Sequence, residues 1–345
     1  MWGNYVTWRR AVNQNENKCI ELSEPSWIMV HNLESGKTWN ISRKLTIIRD
    51  TIYYHAEAPA IWNGKIIYES QINGNSTDTK LFMYNISSKN TWQIPIRSSE
   101  NAHGHLHGIY DNWIVYTDIQ NSKRQAYLYN YNDGTYRTIV SKSDPYSVYG
   151  FVMNGNYVIL TIIDTKSQFN LWIYNLNTAN INVVNCSNIN CSQIIATSIY
   201  GNRVGVTALV QSENLTHWQT YTLTPSTGEL RQEQKDAHGL LIWDEQEVYE
   251  VGQDIHILNT ETNNVTVLSS KTQRLGDIYG NTLVWTDNSN SLTLYGDARD
   301  DFDVYVRTVI TTEQVVIDSM YIIIPVVVLI AAVIIAKRES LRNKT

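Results

Sequence analysis

The stretch Leu81-Phe-Met-Tyr-Asn-Ile86 reads as an aromatic-rich β-strand running into an asparagine, and it recurs along the chain. Its counterparts are Trp27-Ile-Met-Val-His-Asn-Leu33, Ala126-Tyr-Leu-Tyr-Asn-Tyr131, Leu171-Trp-Ile-Tyr-Asn-Leu176, Trp218-Gln-Thr-Tyr-Thr-Leu223, Ile255-His-Ile-Leu-Asn-Thr260 and Val304-Tyr-Val-Arg-Thr-Val309. A polar hairpin and a further strand follow, as in Glu34-Ser-Gly-Lys-Thr-Trp-Asn-Ile41 and Asn132-Asp-Gly-Thr-Tyr-Arg-Thr-Ile139. Upstream of each lies another hairpin, where residues that tolerate positive φ separate two apolar runs. These turns are Gly3-Asn4, Asn63-Gly64, Asp111-Asn112, Asn154-Gly155, Gly201-Asn202, Asp244-Glu245 and Gly280-Asn281. Subtracting successive first positions gives 60, 48, 43, 47, 43 and 36 residues, close to the roughly 40 to 50 of a four-stranded blade. The pattern predicts an all-β, seven-bladed β-propeller, or six blades if the sixth repeat, whose Asp244-Glu245 turn lacks glycine, is discounted.

Composition fits this class: 22 Tyr and 11 Trp suit pleated, half-buried strands, and a net charge of −6 offers no basic footprint for nucleic acid.

The run MYIIIPVVVLIAAVIIA, residues 320–336, carries no charge, and as a helix would rise about 26 Å, near the lower limit for crossing a bilayer core. Lys337, Arg338, Arg342 and Lys344 follow it, whereas Glu313 and Asp318 precede it. The positive-inside rule therefore puts the tail in the cytoplasm and the propeller outside. The expected domains are a propeller over 1–318, a transmembrane helix over 319–337 and a cytoplasmic tail over 338–345. Asn-X-Ser/Thr sequons at Asn40, Asn75, Asn85, Asn185, Asn190, Asn214 and Asn264 all precede the apolar run, as glycosylation outside the cell requires. Trp2-Gly-Asn-Tyr-Val-Thr-Trp8 aligns with Tyr279-Gly-Asn-Thr-Leu-Val-Trp285 inside the last repeat. The sequence thus enters its first blade past the innermost strand, so that blade is expected to be incomplete, with a signal peptide and the missing strand encoded upstream.

Of three cysteines, Cys186 and Cys191 have four residues between them in a polar loop, and an outside location would let them form a disulfide. Cys19 is left over. His103, His105 and His107 alternate along the expected innermost strand of the third blade and would share one face near the channel. Imidazoles so spaced can ligate zinc, copper or manganese, and His238 on the matching strand of the sixth blade could complete the set. The blander account is solvated channel-lining residues. Asp297, Asp300, Asp301 and Asp303 form an oxygen-rich loop without the glycine and distal Glu of an EF-hand, which reads as a solvated acidic loop. The aromatics of the third strands could form a carbohydrate platform, but their regular repetition reads as packing between blades.

The unit of turn, Ile-Val-Tyr-Thr-Asp, loop, Tyr-Leu-Tyr-Asn and turn resembles the TolB-like and dipeptidyl-peptidase-type propeller repeats. With the sequons and the single C-terminal apolar run, the chain resembles archaeal membrane-anchored cell-surface propeller proteins. The resemblance covers residues 1–318 and implies a fold more than an activity. No Gly-X-Ser-X-Gly elbow is present, so the hydrolase chemistry of such peptidases has no motif here. No catalytic motif is identified, so the chain is expected not to be an enzyme, and no cofactor is implied. The expected function is a membrane-anchored extracytoplasmic binding or scaffolding module at the cell membrane, with other surface proteins or glycans as partners. The alternative is a channel-metal lyase or hydrolase acting on surface glycans.

Overall fold

The computed structural model describes residues 1–11, 26–42, 56–71, 79–95, 107–120, 123–141, 146–212, 215–269, 273–280, 282–287 and 303–308. They form an all-β propeller of antiparallel sheets, each assembled from strands consecutive in the chain. The first holds β1 (Tyr5–Ala11), β2 (Ser26–Asn32) and β3 (Lys37–Asn40). The second holds β4 (Ala56–Trp62), β5 (Lys65–Gln71), β6 (Thr79–Asn85) and β7 (Thr91–Gln93). The third comprises β8 (His107–Tyr110), β9 (Trp113–Gln120), β10 (Lys123–Asn130) and β11 (Tyr136–Val140). Next come β12 (Ser147–Asn154), β13 (Tyr157–Ile163), β14 (Phe169–Asn175) and β15 (Ile181–Asn185). The fifth contains β16 (Cys191–Tyr200), β17 (Arg203–Ser212), β18 (Leu215–Thr224) and β19 (Glu229–Lys235). β20 (His238–Trp243), β21 (Gln246–Val251), β22 (Asp254–Asn259) and β23 (Asn264–Leu268) make the sixth, and β24 (Gln273–Tyr279), β25 (Thr282–Asp287) and β26 (Asp303–Thr308) the last.

The first hairpins turn where positive φ is tolerated: 45° at Asn63, 51° at Asp111 and 51° at Asp244. In the fourth sheet the turn is Gly155-Asn156, one residue later than the sequence pattern suggested, because β12 runs through Asn154. That shift brings it into line with Gly3-Asn4 and Gly201-Asn202.

The recurring asparagine of the third strands has a structural task. Asn32, Asn85, Asn130, Asn175 and Asn259 each end a strand, and each Oδ1 accepts amide hydrogen bonds from residues two or three positions on. The next amide ties this hairpin to the first one: Ile86 donates to the Gly64 carbonyl (2.9 Å), Leu176 to Asn156 (2.8 Å) and Thr260 to Glu245 (2.8 Å).

The core lies between sheets rather than at a single centre. Ile28, Val30, Ile66 and Tyr68 are buried between the first and second sheets, and Val115, Leu128, Val158 and Leu160 between the third and fourth. Ile159, Leu171, Ile194 and Val206 fill the next gap. Each fully buried aliphatic side chain contributes about 1.5–3 kcal/mol. Hydrogen bonds add direction: the Thr161 and Thr207 hydroxyls accept from the amides of Ala196 (3.3 Å) and Gly239 (2.9 Å) on the neighbouring innermost strand. At the matching place in the sixth sheet, Glu250 Oε1 accepts from the Leu275 amide at 2.5 Å.

No helix among the described residues is long and apolar enough to cross a membrane. Residues 320–336 lie outside the described residues.

A channel cavity and its aromatic mouth

All the sheets converge on one cavity of about 540 Å³, whose walls are Ile61, Ile109, Phe151, Ser198, Ile242 and Ile278 among others, with Val6 and Thr7 from β1. The strands that line it are irregular. Register shifts interrupt β4 between Glu57 and Ala60, β12 between Val148 and Gly150, β16 between Ala196 and Ser198, β20 between His238 and Leu241, and β24 between Leu275 and Asp277. A bulge strengthens local twist and re-aims side chains, which lets short inner strands curve around a channel. It also frees backbone groups: the Leu240 carbonyl, inside the β20 bulge, accepts from the hydroxyls of Thr197 (2.5 Å) and Ser198 (2.9 Å) on β16. Gly205 makes that approach feasible, since a Cβ there would collide with the same carbonyl oxygen.

At the first-hairpin end, aromatic side chains ring the mouth. Trp62 lies 4.2 Å from Tyr110 between ring centroids, Tyr200 lies 4.6 Å from Trp243, and Trp243 lies 4.4 Å from Tyr279. All are half-buried, so one surface packs against a neighbouring sheet and another stays accessible. Burial, together with the nearby carboxylates of Asp244 and Glu245, raises the Tyr200 phenol above its usual range. A hydrogen bond with Asp244 raises the Glu245 carboxyl in turn. A second pocket of about 570 Å³ opens at this mouth and shares Trp62 and Tyr279 with the channel cavity.

His238 sits at the other end of the β20 strand, and no other histidine among the described residues joins it. Its Nδ1 lies 3.0 Å from Glu250 Oε2, and its ring is 6.4 Å from the Trp218 ring. His107 opens β8 and pairs in register with Tyr116, while His103 and His105 lie outside the described residues. Among the described residues no group of three or more His, Cys, Asp or Glu is placed to hold a metal ion. Asp297, Asp300 and Asp301 are likewise outside, and Asp303 opens β26.

Cys186 and Cys191 are disulfide-bonded, Cα to Cα 5.1 Å, across a 3-10 turn, Cys186–Ile189. Cys19 lies outside the described residues. Asn185 and Asn264 are exposed. Asn190 donates its side-chain amide to the Gln211 carbonyl at 2.7 Å, and Asn40 accepts from the amide and hydroxyl of Ser42. Asn75 and Asn214 are outside the described residues. A pair between a half-buried arginine and a buried glutamate also escaped the sequence pattern. Arg203 on β17 hydrogen-bonds the buried Glu247 on β21, joining the fifth and sixth sheets. Two charged residues just after first hairpins were the available signal, but the position of Arg203 holds Lys65 and Trp113 in other repeats, and that of Glu247 holds Ile66 and Ile114.

No family model matches the chain. No curated protein matches it either. Among solved structures, it is similar to the acylaminoacyl peptidase of Pyrococcus horikoshii, with TM-score 0.57 and 10% identity over 92% of this chain and 52% of that one. It is also similar to the β-propeller domain of the Trilobed protease from Pyrococcus furiosus, described as having an open velcro topology, with TM-score 0.58 and 10% identity over 91% and 94% of the two chains. The chain thus spans about half the length of the peptidase and nearly all of the isolated propeller domain. At this identity the likeness shows the fold alone, a β-propeller.

Proposed function

We propose that the chain is a seven-bladed propeller, each sheet counting as one blade, that works as a binding or scaffolding module held at the outer face of the cell membrane by the apolar segment 320–336. The observation that carries the binding role is the convergence of every sheet on one channel, with an accessible aromatic mouth built from hairpins rather than from a catalytic constellation. Propellers display variable hairpins on a rigid ring, and function resides in those hairpins. The anchoring rests on the uncharged run and the basic residues after it. The peptidase activity of the structural neighbours belongs to those proteins. Protease added to intact cells should remove the propeller and spare a small membrane-held fragment; full protection of the propeller would refute the assignment. Metal analysis of the purified chain separates this reading from a channel-metal enzyme. A near-equimolar metal that disappears in the variant with His103, His105 and His107 replaced by Ala would favour the enzyme.

A further inference from the structure

We infer that the mouth pocket binds a neutral oligosaccharide, an inference that rests on the binding-module reading and gives it a ligand class. The walls combine two kinds of surface. Trp2, Trp62, Tyr110 and Tyr279 contribute half-exposed rings, and Asn63, Asp111, Asn156 and Asn177 contribute exposed polar side chains. These four polar side chains have no hydrogen-bond or ion-pair partner among the described residues. A sugar ring has an apolar C–H face that stacks on an aromatic ring and a periphery of hydroxyls that both donate and accept, so it uses both surfaces together. Primary amides, which also donate and accept, match those hydroxyls. The pocket, about 570 Å³, falls within the range of small-ligand sites.

Other ligand classes fit less well. No Lys or Arg lines the pocket, which leaves a phosphate backbone without a partner. Two cations on the same hairpins are already placed, Arg137 over the Trp113 ring at 4.6 Å and Lys65 over Tyr131 at 5.5 Å. A single carboxylate, Asp111, is weak bait for a cationic ligand. An extended peptide would need a free strand edge, whereas this end of the sheets is closed by hairpins. A purely apolar molecule would strand four polar side chains against it without partners.

The test is titration of the purified full-length chain, kept in a detergent without sugar headgroups, with hexasaccharides of glucose, mannose and N-acetylglucosamine, read by calorimetry and tryptophan fluorescence. At least one should bind saturably. Trp62→Ala and Tyr279→Ala should each weaken that binding about tenfold, and the exposed Asn177→Ala, which leaves the ring packing intact, about threefold. The rim variant Trp92→Ala, outside the pocket, should leave it unchanged. No saturation with any of the three sugars at millimolar concentration would overturn the inference, as would sugar binding indifferent to Trp62 and Asn177. Binding of choline or a lysine-rich peptide that is lost in Asp111→Asn would replace it with a cation site. Either negative result leaves the surface-display reading standing, because protease accessibility on intact cells is measured independently.

Discussion

Asn175 accepts two amide hydrogen bonds, from Asn177 at 2.9 Å and Thr178 at 3.1 Å, and so fixes a hairpin that the backbone alone would hold less firmly. Asn175→Ala should lower stability by about 1 kcal/mol in urea unfolding, and Asn175→Asp, which keeps the acceptor, by less. The equivalent Thr224 lends its carbonyl, not its side chain, to Gly228 at 2.8 Å. Thr224→Ala should therefore stay within about 0.5 kcal/mol of wild type apart from the cost of its own burial. Equal losses at the two positions would show that the asparagine is replaceable. Glu247 presents the opposite case. Burial pushes its carboxyl upward, Glu233 adds to the rise, and Arg203 only partly offsets it. A raised folded-state pKa means that the native state holds the proton more tightly than the unfolded chain. Its stabilising contribution is complete at acid pH and falls away as pH rises through the raised value. Glu247→Gln cannot ionise, so its stability relative to wild type should improve as pH rises from about 4 toward neutrality. A relative stability flat in pH would contradict the proton linkage.

Inner strands and their bulges were the least legible elements. Outer features announce themselves: an alternating aromatic run plus a Gly or Asn turn specifies a hairpin whatever its neighbours do, so the third strands were readable from residues such as Leu81 to Tyr84. A bulge such as that between Ala196 and Ser198 answers to the next sheet, because its hydroxyls seek the Leu240 carbonyl some forty residues on, and no local pattern encodes that. Gly205 was likewise silent in the sequence, yet its missing side chain is what admits Leu240. Gly205→Ala should cost about 3 kcal/mol through overpacking, and Gly155→Ala, where nothing lies within 4 Å but φ is 56°, about 1 kcal/mol through backbone strain. The reverse ranking in thermal unfolding would argue against close packing of the fifth and sixth sheets. The disulfide acts on the same scale. A loop this short constrains the unfolded chain by about 2 kcal/mol, so Cys186→Ser with Cys191→Ser should lower the unfolding midpoint and leave the rest of the propeller folded. Loss of native circular dichroism would instead make that loop essential to the ring.

Across the whole molecule, stability is distributed between neighbours: buried side chains fill the gaps between successive sheets rather than one centre. Period and blade architecture were therefore legible, since every repeat must solve the same packing problem, as with Ile66, Ile114 and Val158 just after successive first turns. The candidate site was less so. His103 and His105, the metal candidates read from spacing, lie outside the described residues, and the aromatic side chains of the mouth gather at the first-hairpin end of the inner strands. There Trp62, Tyr110 and Tyr279 come together from three sheets distant in sequence. Read one repeat at a time, each is only an aromatic residue before a first turn, and only the convergence of the sheets places them around one opening. The most direct test of the account is electron microscopy of the full-length chain in a lipid nanodisc, with views down the channel axis. It should show seven blades around an open mouth, standing on a single membrane-embedded stem. Six blades, or a ring with no attachment to the nanodisc, would contradict it.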